Sequence, residues 1–328
     1  MNHEATKISN SFSATVQLVE NYALEEIQQQ TLQKQLYYHT VTHAIAVKRR
    51  AKIIFEAVRP SLEINNNYHQ LNRIANLIDL CAIAHDLVQE ITPATKPHTA
   101  RKRPKKISEL ATIDKLTKYI NTVNQQLTRH NLDDSTKFNH LDLQIITEAI
   151  AATICELAPL AGESNSGLFS SSIYQPYLYH SPPKISLVAN IIALADLGTL
   201  GMEGVEPFIH EGILIFLEEN PDLVELILRY SDRNTFSTIL PGKERKITKQ
   251  RLLNMTRFMV NLAKDRHLRF KQEIISFPTE AQHILQERVF KYLKLDTINK
   301  IEELTPTDEC NNLEELLNFF HIYSQSNY

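Results

Sequence analysis

Residues 68–89, YHQLNRIANLIDLCAIAHDLVQ, carry one continuous helical pattern. The inward positions recur at alternating steps of three and four residues, and they are Leu71, Ile74, Ile78, Cys81, His85 and Val88. Because a turn of α-helix takes about 3.6 residues, side chains at these steps share one face. The pattern therefore predicts an amphipathic helix over 68–89 with His85 on its buried face.

The composition of the 328-residue chain favours helices throughout. Only seven glycines are present, and the chain is rich in the helix-favouring residues Leu, Ala, Glu, Gln and Lys. Further helices are predicted over 14–36, 41–58, 107–127, 141–158, 184–201, 206–219, 221–230, 247–273, 279–293 and 312–323, with loops at 92–106 and 161–183. Since the sequence has no internal repeat and no convincing strand pattern, we predict an all-α fold.

Charge and hydropathy exclude several classes of protein. The net charge of −3 gives no overall attraction to nucleic acid or membranes. No stretch approaches the roughly 18 apolar residues of a membrane span, and the N-terminus lacks an apolar signal core. The cysteines, Cys81, Cys155 and Cys310, form no CxxC pair, which suits a reducing compartment. The sequence predicts a cytoplasmic protein without a membrane or nucleic-acid partner, and a homo-oligomer remains an open alternative.

Candidate metal ligands interrupt three predicted helices. His39 and His43 stand four residues apart in LYYHTVTHAIAV, which predicts that they share one helical face. The pair His85-Asp86 lies late in the helix predicted over 68–89, and Asp196 lies in the nearly apolar segment KISLVANIIALADLGTLG. Each residue has an ordinary interpretation by itself, as a bonded core histidine, a local salt link or a turn cap.

Taken together, these residues indicate a metal site. An unpaired buried carboxylate is very costly, and a divalent cation would supply the missing countercharge. Two imidazoles and two carboxylates from separate helices form a nitrogen-and-oxygen ligand set. Such a set suits Mn, Fe, Co, Ni or Mg with open coordination positions better than a closed structural zinc site.

The order H…HD…D resembles the HD superfamily of metal-dependent phosphohydrolases. YHTVTHAIAV is similar to the tyrosine–histidine–asparagine…histidine segment of the phosphodiesterase-like members, and AIAHDLV is similar to their HD helix. ALADLGTLG is similar to the aspartate–leucine…leucine–glycine ending of the predicted metal-dependent HD phosphohydrolases. The matched region spans 36–201. Two positions depart from the pattern, since Thr40 replaces an asparagine and Leu194 replaces an aspartate.

The resemblance implies an HD-type metal-binding helical domain over 1–204. Residues 205–328 would form a C-terminal helical extension, which either stands apart or packs on the first domain as one body. The implied metal ligands are His43, His85, Asp86 and Asp196. His39 would protonate the leaving oxygen, and Asp86 would also assist the attacking water. No histidine follows at the spacing of a second metal, so the resemblance favours one tightly bound ion.

The implied activity is hydrolysis of a phosphate ester or phosphoanhydride, with a nucleotide or signalling nucleotide as the expected substrate. The basic loop 96–106 follows the HD pair, and its Arg101, Lys102 and Arg103 are candidates for binding further phosphate. Glu109 matches an acidic residue that follows the HD helix in the predicted phosphohydrolases. Solvent exposure is the more common role for such charged residues.

Two other functions remain open. HDLVQE is similar to the HD helix of (p)ppGpp pyrophosphohydrolases, although Gln89-Glu90 stands where those enzymes carry a Glu-Asp pair. The alternative outside enzymology is a helical regulatory or binding module that holds a metal or nucleotide without turnover. A stripe at Met255, Phe258, Met259 and Leu262 offers a surface for such a module, although ordinary core packing is its more frequent role.

Overall fold

The computed structural model describes residues 11–63, 68–94, 96, 98–158, 172–179, 185–228 and 242–324. The α-helices in these ranges are α1 (Phe12–Lys34), α2 (Val41–Glu63), α3 (Tyr68–Ala84), α4 (Ile107–Arg129), α5 (His140–Ala152), α6 (Leu187–Asp196), α7 (Thr199–Glu203), α8 (Val205–Glu219), α9 (Pro221–Leu228), α10 (Gly242–Glu273), α11 (Thr279–Ile284), α12 (Leu295–Leu304) and α13 (Leu313–Ser324). A π-helix follows α11 at Leu285–Val289, and a short antiparallel sheet pairs β1 (Glu156–Leu157) with β2 (Ile173–Tyr174). The prediction of an all-α fold is confirmed.

Helix α3 ends at Ala84, earlier than the sequence pattern predicts. Beyond this point, side chains of other helices bind the backbone that would have continued the helix. The Val88 amide donates to Thr112 Oγ1 at 3.0 Å, and the Gln89 amide donates to Gln30 Oε1 at 3.1 Å. These bonds satisfy buried amides outside the helix, which allows the chain to turn immediately after α3.

Two further predicted ends of helices were wrong. Helix α5 ends at Ala152 rather than 158, because the residues that follow pair with a second strand instead of continuing the helix. Helix α2 passes through Pro60 and ends at Glu63. A proline costs a helix one backbone hydrogen bond, and the packing of α2 against α3 and α6 offsets that loss.

The remaining differences lie in the second half of the chain. The helix predicted over 184–201 is divided into α6 and α7, and the one predicted over 279–293 consists of α11 and the π-helix. Helix α10 begins at Gly242 rather than 247, and α12 was not predicted. Parts of the predicted loop 161–183 and the end of the helix 221–230 lie outside the described residues.

Two hydrophobic cores organise the chain. Helix α3 lies in the first core and contacts α1, α2, α5 and α6. The second core forms among α8, α9, α10, α12 and α13. The chain from Phe270 to Phe290 then returns to the first core. Residues on both sides of position 204 therefore share one core.

Close contacts join α2, the short helix α7 and the π-helix region. Arg50 of α2 is 1% exposed, and it binds Glu203 at 2.7 Å and Glu211 at 2.5 Å. A Cβ at Gly201 would lie 2.6 Å from Phe290 Cδ1, so glycine is required for this approach. No helix among the described ranges has the length and hydropathy needed to cross a membrane.

Candidate metal centre

The candidate ligands lie at the ends of three helices. His43 is in the first turn of α2, whereas His39 lies two residues before that helix begins. The prediction that the two histidines share a helical face was therefore wrong, although their rings lie 6.1 Å apart. His85 and Asp86 directly follow α3, and Asp196 is the last residue of α6. Because α3 ends at Ala84, both members of the HD pair lie just beyond the helix and not within it.

The four predicted ligands converge. His43 Nε2 lies 3.4 Å from Asp86 Oδ2 and 3.4 Å from Asp196 Oδ1. His85 Nε2 lies 3.0 Å from Asp86 Oδ2 and 3.5 Å from Asp196 Oδ1. Adjacent ligands on a cation with bonds of about 2.1 Å lie roughly 3 Å apart. The spacing of His43, His85 and Asp86 therefore fits one divalent ion, and Asp196 lies within 3.5 Å of both histidines.

Hydrogen bonds orient His85 and the two aspartates toward the centre, whereas Nδ1 of His43 is buried without a hydrogen-bond partner. His85 Nδ1 donates to the carbonyl of Ala82 at 2.9 Å, which leaves the lone pair on Nε2. The outer oxygen of Asp86 accepts from Gln89 at 2.9 Å, and that of Asp196 accepts from Gln175 at 2.9 Å. The inner oxygen of each carboxylate therefore faces the histidines.

The chemistry of the donor set also fits a cation. Nε2 of His43 and Nε2 of His85 are both buried without a hydrogen-bond partner. Buried polar atoms in folded proteins nearly always have a partner. A cation bound between the imidazoles and the carboxylates would satisfy both nitrogens.

The electrostatics favour ionised carboxylates. Burial by itself raises the pKa of Asp86, but His85 and His39 hold that pKa well below its usual range. Burial also raises the pKa of Asp196, and the imidazoles of His43 and His85 beside it bring that pKa below its usual value. In the two histidines burial lowers the pKa and the carboxylates raise it, with a net increase. Metal binding therefore competes with protons on the histidines.

His39 is held by a residue that the sequence did not identify. Glu218 of α8 is 1% exposed, and its Oε2 accepts the backbone amides of residues 37–39 at 3.0–3.1 Å. Its Oε1 lies 2.5 Å from His39 Nδ1, so that nitrogen donates to the carboxylate. His39 Nε2 then accepts from Arg103. Burial raises the pKa of Glu218, and His39 and Arg103 reverse this and lower it to about 2.

The predicted phosphate-binding loop divides into two parts. Arg103 and Glu109 line the same cavity as His39 and the two aspartates. Arg101 instead donates to the carbonyls of Lys34, Gln35 and Glu218, so its guanidinium stabilises the fold. Lys102 is exposed and does not line the cavity. Lys105 and Lys106, which the same loop supplies, do line it.

The cavity beside this centre has a volume of about 480 Å³. That size is typical of small-molecule sites. Its lining joins polar residues of the first core to apolar residues of α8 and α10. The stripe of apolar residues predicted at 255–262 lines this cavity. Met259 is buried, whereas Met255, Phe258 and Leu262 are partly exposed.

No protein-family model matches this chain, and neither a curated protein nor a solved structure matches it. The resemblance to the HD superfamily therefore stays a prediction from the motifs.

Proposed function

We propose that this protein is a metal-dependent phosphohydrolase that cleaves a phosphate ester or phosphoanhydride. The main support is the convergence of His43, His85 and Asp86, whose ligand atoms lie within 4.8 Å of one another. Asp86 lines a cavity beside this group, and Arg103 lines the same cavity. Asp196 completes a set of two nitrogen and two oxygen donors. Such a set suits a single Mn, Fe, Co, Ni or Mg ion with open positions.

A bound divalent ion would lower the pKa of a water ligand and polarise a phosphoryl oxygen. In our proposal, Asp86 would accept a proton from the attacking water. In our proposal, His39 would give a proton to the leaving oxygen, and the Glu218 carboxylate beside it would stabilise the charged imidazole that this requires. The proton gained by Asp86 and the proton lost by His39 balance over the reaction.

Arg103 links substrate binding to this proton transfer. Its contact with His39 Nε2 occupies the atom that must carry the donated proton. A guanidinium forms stronger bonds with a phosphoryl group than with a neutral imidazole. In our proposal the incoming phosphate therefore attracts Arg103 and frees His39 to act as an acid.

Metal analysis followed by an assay panel tests the proposal. Purified protein is analysed for bound metal, and phosphomonoesters, phosphodiesters and nucleotides are then assayed with Mn, Mg, Co or Ni. We expect a single metal ion per chain and turnover of at least one substrate class. Bound metal without turnover would favour the regulatory or binding module.

Two aspartate variants locate the site. Asp86→Ala is expected to lose both metal and activity. Asp79→Ala is the matched control, since Asp79 also lies on α3 but pairs with Lys48 at 3.3 Å and does not line the cavity. Full metal content and full activity in Asp86→Ala would show that the site is wrongly assigned.

A further inference from the structure

The cavity beside the candidate metal centre is chemically divided. Residues around His39 and Arg103 supply charge. The remaining lining is mostly apolar and comes from the segment after α6, from α8 and from α10; it includes Leu200, Phe208, Ile215, Met255, Phe258 and Leu262. On α10, Met255 and Leu262 are seven residues apart, so this apolar wall extends about 10 Å along the helix axis.

The charged side chains within the apolar part are already paired. Glu211 binds Arg50 at 2.5 Å and also accepts a bond from Thr199. Arg266 lies 2.7 Å from Glu273, but the three nitrogens of its guanidinium are buried without a hydrogen-bond partner. Each of these charges therefore has an opposite charge of the protein beside it.

An apolar wall is a poor environment for the sugar and base of a nucleotide. Ribose hydroxyls and base nitrogens that enter an apolar wall lose their bonds to water, and a buried polar group without a new partner is unfavourable. A hydrocarbon group gains from the same transfer, and methionine side chains adapt to irregular apolar shapes. The division of charge therefore complements an amphiphilic ligand with one anionic end.

We propose that the cavity binds a phosphate ester of an apolar alcohol. Its phosphate would lie beside Arg103 and the metal ligands, and its hydrocarbon part would lie along Met255, Phe258 and Leu262. This inference rests on the proposed phosphohydrolase function for its chemistry and replaces the nucleotide as the expected substrate. Binding of the ester is measurable without turnover.

Calorimetric titration of the full chain, with and without Mn²⁺, tests the proposal. The ligands are methyl, butyl, hexyl and octyl phosphate below their micellar concentrations, together with phenyl phosphate, AMP and GMP. We expect the dissociation constant to fall by up to about four-fold for each added methylene until the apolar part is filled. Phenyl phosphate should bind more tightly than methyl phosphate, and the nucleotides should bind no more tightly than methyl phosphate.

Two outcomes would overturn the inference: an affinity that does not depend on chain length, or a nucleotide that binds more tightly than octyl phosphate. The result is separable from the proposed function. A chain-length effect without metal binding or turnover supports the apolar site while contradicting the hydrolase. Metal-dependent hydrolysis without a chain-length effect supports the hydrolase and contradicts this inference.

A pair of variants on α10 locates the hydrocarbon. Phe258→Asn should remove most of the gain with chain length while leaving the affinity for methyl phosphate unchanged. Leu268→Asn is the matched control, because Leu268 is 76% exposed on the same helix and does not line the cavity. If Phe258→Asn does not fold, Met255→Gln is a milder change in the same wall. Octyl phosphate affinity that is unchanged in the folded variant contradicts the proposed position.

Discussion

Replacing Glu218 by glutamine removes one buried negative charge beneath His39 and nearly preserves the shape of the side chain. In the folded protein the pKa of Glu218 is about 2, against an ordinary value of 4.5, because His39 and Arg103 outweigh the opposing effect of burial. A difference of this size corresponds to about 3 kcal/mol of folding free energy at neutral pH. Glutamine also presents an amide donor where the carboxylate accepts backbone amides. We therefore expect Glu218→Gln to lower the free energy of unfolding by about 3 kcal/mol at pH 7.

The loss should depend on pH with a defined sign. Because the folded-state pKa is depressed, the ionised carboxylate stabilises the protein above about pH 4.5, and this contribution disappears as the pH falls toward 2. Urea unfolding of both proteins, followed by circular dichroism, measures the difference. It should fall to less than half of its neutral value by about pH 3. A difference that is constant with pH would refute the reasoning.

Glu219→Gln is the matched control. Glu219 neighbours Glu218 on α8, but burial raises its pKa, Arg103 opposes that increase, and Glu218 adds to it. A carboxyl group with a raised folded-state pKa is less stable as the anion in the fold than in the unfolded chain. Glu219→Gln should therefore cause no loss of stability at pH 7. An equal loss in both variants would mean that general disruption of α8, not the charge, causes the effect.

Three further predictions concern the candidate site and the fold. His43→Ala should lose the metal, whereas His39→Ala should keep it and lower turnover by about 100- to 10,000-fold; metal analysis and kinetics distinguish the two. Metal affinity should fall as the pH is lowered, because the pKa values of His43 and His85 are raised and protons compete with the metal for Nε2. Titration calorimetry at several pH values measures this affinity, and an affinity that rises at low pH would contradict the prediction. Arg50→Met should cost about 3 kcal/mol, because Glu211 loses its cationic partner and Glu203 keeps only the exposed Arg49. Arg49→Met removes only that exposed ion pair and should cost less than about 1 kcal/mol in the same urea assay.

Several features of the site were accessible from local sequence. The stripe in residues 68–89 predicted that His85 is buried, and its side chain is 1% exposed although α3 ends one residue before it. The apolar surroundings of Asp196 indicated a carboxylate in need of a partner, and both histidines lie within 3.5 Å of it. These features follow from helical periodicity and from the cost of burying charge, which depend on residues close together in the chain.

Other features have no local signal. Glu218 lies on α8, 179 positions after His39, and nothing in the local sequence distinguishes it from any other glutamate. Arg101 and Arg103 are two residues apart in one basic loop, yet Arg101 binds backbone carbonyls and Arg103 lines the cavity. Which of two similar side chains reaches a site depends on the path of the loop, and other helices set that path.

The sequence by itself determined an all-α protein and the positions of its candidate ligands, because helical periodicity and the burial of charge are encoded over a few turns. The tertiary structure decided where α3 ends, which carboxylate holds His39, and that α10 adds an apolar wall to a charged centre. Each of these depends on contacts between helices far apart in the chain. Such contacts are set by the packing of the two cores, and no local pattern specifies them.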